Sequence, residues 1–98
     1  MVLEVTIFNI REGVKAGFEA AFAEVTKNLI AAPGCHTVEL RECIEDENRY
    51  VLLIEWDSVD THLRFREELD ASDKPALLGD YYGAPPVGFH YGAPAVSG

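Results

Sequence analysis

The spacing at which apolar residues recur switches repeatedly along this chain, and the order of the switches leaves few folds open. Val2 to Ile10 alternates every second residue, with Val5, Ile7 and Asn9 on one face and Glu4, Thr6, Phe8 and Ile10 on the other. Large apolar groups stand on both faces, so this strand is expected to be covered on both sides. Arg11-Glu12-Gly13 breaks it. From about Lys15 to Ala32 the spacing becomes helical, with Phe18, Phe22, Val25 and Leu29 on one stripe, and Pro33-Gly34 ends the helix. Cys35 to Ile44 reads as a second strand and Glu45 to Asn48 as a polar turn. Arg49 to Trp56 is a third strand, with Tyr50, Leu52, Ile54 and Trp56 on one face and Val51 and Leu53 on the other. Ser58 suits the N-cap of a second helix running to about Leu69, and Asp60 favours the positive end of its dipole. Ser72 to Leu78 reads as a shorter helical segment with a proline near its start. Tyr81 to Pro86 reads as a rigid aromatic connection, and Val87 to Tyr91 as a last short strand.

The order β-α-β-β-α-β is the split βαβ pattern of a ferredoxin-like α+β fold, with both helices on one face of a four-stranded antiparallel sheet. The opposite face keeps apolar side chains that would form an exposed patch on a lone chain, and packing two such sheets face to face removes it. At 98 residues the chain has room for a single domain spanning 1–98. A domain this small gains disproportionately from association, so a homodimer is expected. Residues 92–98, rich in Gly, Ala, Pro and Ser, are expected to be loose unless a partner holds them.

Charge excludes several partners. Eight basic residues against seventeen acidic ones give a formal net charge of −9, a field that repels nucleic acid and anionic membranes. The longest apolar run, around Tyr50 to Ile54, is too short to span a bilayer. The first residues lack a basic region and a small-residue cleavage site, so no signal peptide is expected. Cys35 and Cys43 fall in one predicted strand about 26 Å apart, beyond disulfide reach. No clustered Cys/His spacing suggests a metal site. A cytoplasmic protein fits these features.

Recognisable motifs accumulate along this frame. Pro33-Gly34-Cys35 is followed by a strand and a polar turn, then by Ile54-Glu55-Trp56-Asp57-Ser58. Thr61-His62 leads to Phe65-Arg66, and Ala84-Pro85-Pro86-Val87 to His90-Tyr91. In this order and spacing, over Val2 to Tyr91, the chain resembles the antibiotic biosynthesis monooxygenase family. The resemblance implies a dimeric α+β barrel with a pocket in each subunit between sheet and helices. It also implies a cofactor-independent monooxygenase acting with dioxygen on a small aromatic or enolisable molecule, with no metal, flavin or haem. Two alternatives stay open: a non-catalytic dimer that binds a small hydrophobic ligand, and an isomerase on the same scaffold.

Within that resemblance, His62 and Arg66 stand as the catalytic pair. A neutral imidazole in an apolar pocket can take a proton near pH 7, and a guanidinium one helical turn away can lower its pKa and stabilise an oxyanion. Trp56, Phe65, Tyr81, Tyr82 and Phe22 are the candidates for contact with a flat ring system. Each also has a plain structural reading as a core or interface group. His36, His90, Cys35 and Cys43 read as structural. Two positions depart from characterised branches of the family. Leu52 stands where the polyketide oxygenases carry an amide. No histidine lies between His62 and His90, where haem-degrading relatives place an axial ligand, although Asn9 resembles that branch.

Overall fold

A computed structural model describes residues 1–71 and 78–98. The expected helical segment at 72–78 therefore lies, apart from Leu78, outside the described residues. Strand β1 (Val2–Ile10) is followed by helix α1 (Lys15–Ala31), strands β2 (Cys35–Glu42) and β3 (Arg49–Trp56), helix α2 (Val59–Ala71) and strand β4 (Tyr82–Tyr91), which a single 3₁₀ turn at Gly79–Tyr81 precedes. The strands form one antiparallel sheet in the order β2-β3-β1-β4. This is the ferredoxin-like arrangement, with β1 and β3 in the middle.

The alternation in the strands decides which side is covered. Phe8 and Ile10 of β1 and Tyr50, Leu52, Ile54 and Trp56 of β3 join Phe18, Phe22 and Leu29 of α1 in one buried cluster. Val25, the remaining member of the helical stripe, packs against that cluster half-buried. The rings meet at angles rather than face to face, with Phe18 5.0 Å from Tyr50 and 5.7 Å from Phe8 between centroids. That is the arrangement aromatic quadrupoles prefer.

Helix α1 ends where Pro33-Gly34 predicted. Gly34 has φ +81°, and a Cβ there would lie 2.4 Å from Thr61 Cγ2, so only glycine fits the turn. The Gly34 carbonyl accepts the Asp57 N–H at 2.8 Å, tying this turn to the end of β3. Ser58 caps α2 as expected, its Oγ accepting the Thr61 N–H at 3.1 Å.

The last strand is longer than the sequence suggests. Two consecutive prolines argue against a ladder, yet β4 is an edge strand, where a missing N–H can face solvent. It begins at Tyr82, with register irregularities opposite Ile7 to Ile10 that absorb Pro85 and Pro86. No helix among the described residues is long and apolar enough to cross a membrane.

Candidate functional site

Glu4 is the unusual residue of the central strand, because alternation sets it on the covered face with Thr6, Phe8 and Ile10. It is 6% exposed, and a buried carboxyl is costly unless hydrogen bonds replace its water. Both oxygens are satisfied. Thr6 Oγ1 donates to Oε2 at 2.7 Å and the Trp56 indole N–H donates to Oε1 at 3.0 Å. His62 Nε2 lies 3.2 Å from the same Oε1. Nε2 faces that oxygen at ion-pair distance and a carboxylate oxygen only accepts, so we assign the proton of the neutral imidazole to Nε2. With that assignment Nδ1 is the acceptor and His90 Nε2, 2.7 Å away, the donor. The result is a line of polar groups, a His90–His62 hydrogen bond followed by a close ion-pair contact from His62 to Glu4.

Four elements build this line. Register sets His90 of β4 directly across from Glu4 of β1. Gly88 of β4 makes room for Thr6, since a Cβ there would stand 2.6 Å from Thr6 Oγ1. From the first turn of α2, His62 stacks on Trp56 of β3 with centroids 4.9 Å apart and planes 15° apart. Phe65, one turn later, packs on the other part of the indole at 5.7 Å. Burial pushes the His62 pKa below that of an ordinary imidazole. The Glu4 charge opposes this, and the charges of His90 and Arg66 add to it. The guanidinium expected to lower this pKa is thus the smallest contributor, behind burial.

A cleft of about 1080 Å³ opens beside this line, between α1, α2 and the sheet edge at β4. Of the residues singled out in the sequence, Phe22, His62, Phe65, Arg66 and Tyr82 line it, and so does Leu52. Tyr82 stacks on Phe8 at 5.8 Å, and burial pushes its phenol pKa up. Trp56 is fully buried behind His62 and is not among the lining residues. Tyr81 turns instead to Phe18 and Gly17, holding the start of β4 against α1. His36 is exposed and pairs with Asp57. Cys35 and Cys43 are unpaired, and burial pushes the Cys35 thiol up, away from nucleophilic character. Among the described residues, no three or more His, Cys, Asp or Glu side chains group to hold a metal.

Glu4 and Thr6, which the sequence did not single out, and His90, which it gave as structural, line the same cleft. A charged residue in phase with Phe8 and Ile10 on a strand face is the signal that marks Glu4. His90 carries no such mark, because its role depends on which strand lies beside β1.

A ferredoxin-like sheet carrying a histidine-walled cleft under its helices defines the class. The family profile for antibiotic biosynthesis monooxygenase matches residues 1–72. The uncharacterized protein YczJ of Bacillus subtilis (strain 168) is 32% identical over 92 residues, covering 93% of this chain and 97% of that protein. Among solved structures, a candidate antibiotic biosynthesis monooxygenase from Bordetella bronchiseptica superposes with a TM-score of 0.85 at 32% identity, over 94% of this chain and 95% of that one. SnoaB, a cofactor-independent oxygenase from Streptomyces nogalater, shares the fold with a TM-score of 0.78 at 21% identity, over 97% and 94% of the two chains. The chain belongs to the antibiotic biosynthesis monooxygenase family.

Proposed function

We propose that this protein is a cofactor-independent monooxygenase that acts on a small aromatic, enolisable molecule. The observation that carries the reading is His62, kept neutral by burial in the wall of a cleft that Phe22, Phe65, Tyr82 and Arg66 also line. Neutral imidazole is the form that can accept a proton. A methylene acidified by a neighbouring aryl ketone loses a proton that ends on His62, and the electron pair delocalises into the ring system. The carbanion reduces dioxygen and a C–O bond forms, giving a hydroperoxide once the outer oxygen is protonated. Loss of the second methylene proton with cleavage of the O–O bond expels water and leaves a carbonyl. In sum, CH₂ and O₂ become C=O and H₂O, with dioxygen taking all four electrons. Arg66 or Tyr82 stabilises the oxyanion formed in the first step, and Phe22 and Phe65 hold the ring. Trp56 supports His62 from behind.

In this reading the protein works as a cytoplasmic homodimer. The unpaired cysteines suit a reducing compartment. Val87, Phe89 and Tyr91 are each more than half exposed on β4, and their register partners Ile7, Val5 and Leu3 continue an apolar surface that a second sheet would cover.

Oxygen uptake under air with a panel of phenols and cyclic aryl ketones, without added metal or flavin, tests the activity. Turnover that His62→Ala lowers by about a hundredfold or more supports it; a variant within a few-fold of wild type removes His62 from the mechanism. Leu52 in the cleft wall, which can donate no hydrogen bond to an oxyanion, favours a second reading as a binding protein. Ligand-induced thermal shifts with no oxygen consumption and no proton exchange would establish that reading instead.

A further inference from the structure

Both ring nitrogens of His62 face protein groups, Nδ1 in a hydrogen bond with His90 and Nε2 in an ion-pair contact of 3.2 Å with Glu4. A substrate proton therefore cannot reach His62 directly without displacing one of these partners. His90 lines the same cleft, and its Nδ1 makes no hydrogen bond among the described residues. We infer that His90 is the group that meets the substrate, that the proton passes through it to His62, and that Glu4 is the positioning residue that receives the resulting imidazolium.

The inference rests on the reading of this cleft as a place of proton abstraction. The substrate C–H breaks and leaves its electron pair on carbon, while an N–H forms at His90 Nδ1. His90 Nε2–H then passes to His62 Nδ1, which restores a neutral His90 in its other tautomer. The positive charge ends on His62, 3.2 Å from Glu4 Oε1 and stacked on Trp56. Glu4 can hold that charge because Thr6 and Trp56 already fix both of its oxygens. Arg66, on the same helix as His62, faces the pair as the opposing cation. The arrangement follows the logic of a carboxyl–imidazole pair extended by a second imidazole, with the outer ring exposed to substrate and the inner one to the counter-charge.

Glu4→Gln removes the charge and keeps the shape: its Oε1 still accepts from Trp56 and faces His62 Nε2, and its NH₂ can donate to the Thr6 hydroxyl, reversing that hydrogen bond. His90→Gln lies on a partly exposed edge strand and gives a second, structurally mild variant. The first measurement is long-range ¹H–¹⁵N NMR of the imidazoles during a pH titration, with His36→Gln simplifying the three-histidine spectrum. We expect His62 as a single Nε2–H tautomer, its protonation midpoint lower in Glu4→Gln and higher in His90→Gln. Mixed tautomers with a midpoint unmoved in both variants overturn the relay.

The second measurement is solvent deuterium exchange into 2-tetralone, a flat aryl-fused ketone with an acidic methylene, under argon. His90→Gln should slow catalysed exchange by about a hundredfold, and Glu4→Gln should lower kcat with KM little changed. Exchange within a few-fold of wild type in His90→Gln overturns the inference. So does an absence of catalysed exchange by wild type at 2-tetralone concentrations that raise its Tm. Exchange under argon with no oxygen uptake under air would leave the relay standing and remove only the oxygenase reading.

Discussion

Gly88→Ala tests how tightly the buried carboxyl is held. The new methyl would stand 2.6 Å from Thr6 Oγ1, 3.4 Å from Thr6 Cβ and 3.5 Å from Thr6 Cγ2. Rotating Thr6 to turn its hydrogen toward the new methyl relieves the contact only by carrying Oγ1 away from Glu4 Oε2. The strands must part or the Thr6–Glu4 hydrogen bond must break. Losing a hydrogen bond to a buried carboxyl, or straining a packed pair by a comparable amount, costs about 2 kcal/mol. For a chain of this size that lowers Tm by about 8–16 °C.

The decisive arm is the double mutant. Thr6→Ala alone leaves Glu4 Oε2 without its donor and should cost about 1–3 kcal/mol. Once Thr6 is alanine, the Gly88 methyl has nothing to strike, so Gly88→Ala in that background should be nearly free. The cycle then shows a coupling close to the full cost of Gly88→Ala alone. Far-UV circular dichroism melts at one fixed protein concentration measure it, since any association would shift Tm with concentration. Additive losses would mean that the Gly88 penalty comes from the edge strand itself, and the idea that Gly88 exists to seat Thr6 would be refuted.

Other positions make separate predictions. His62 is kept neutral in the folded protein, mainly by burial and with Glu4, His90 and Arg66 around it, so the unfolded chain binds its proton first. Stability should therefore fall as pH drops below the ordinary histidine value of about 6.5, and urea titrations at pH 7.5 and 5.5 should show a smaller difference in His62→Gln. Gly34→Ala forces a side chain into a φ of +81° and against Thr61 Cγ2, so it should cost at least about 1–2 kcal/mol in the same denaturation assay. Ser58→Ala removes the acceptor for the Thr61 N–H and should cost about 1 kcal/mol, whereas Ser58→Asp should retain most of the stability.

The parts of the fold written in local periodicity were legible, and the parts that depend on neighbouring strands were not. Phe18, Phe22 and Leu29 fall into the core because helical spacing alone puts them on one stripe, and Pro33-Gly34 stops the helix for reasons internal to those residues. Pro85 and Pro86 misled because a proline's compatibility with a strand depends on whether that strand is at an edge. The site divides in the same way. His62, Phe65 and Arg66 share a helix face, which their spacing announces. His90 joins them only because β4 lies against β1 in a register that faces it to Glu4, 86 positions away in sequence. Trp56 ends β3 and Tyr81 closes the 3₁₀ turn before β4; their aromatic character suggested a ligand wall, and each ring packs on protein neighbours.

A carboxyl on the covered face of a central strand is a poor choice for stability alone, since an aliphatic side chain of similar size would bury without needing three partners. Those partners come from three other places along the chain, and each needs its own device. Thr6 needs the missing Cβ of Gly88, Trp56 needs its register at the end of β3, and His62 needs α2 to start where Gly34 and Ser58 fix it. Replacing Glu4 with leucine would strand the Trp56 indole N–H and His62 Nε2–H, so stability alone cannot tell a useful carboxyl from one that is merely wired in. Glu4→Gln separates the two cases. If the carboxyl serves only to satisfy its partners, glutamine, accepting from Trp56 and donating to Thr6, does the same and the chemistry at His90 proceeds unchanged. If it serves to hold a proton's charge on His62, glutamine leaves the fold intact and the proton without its counter-ion.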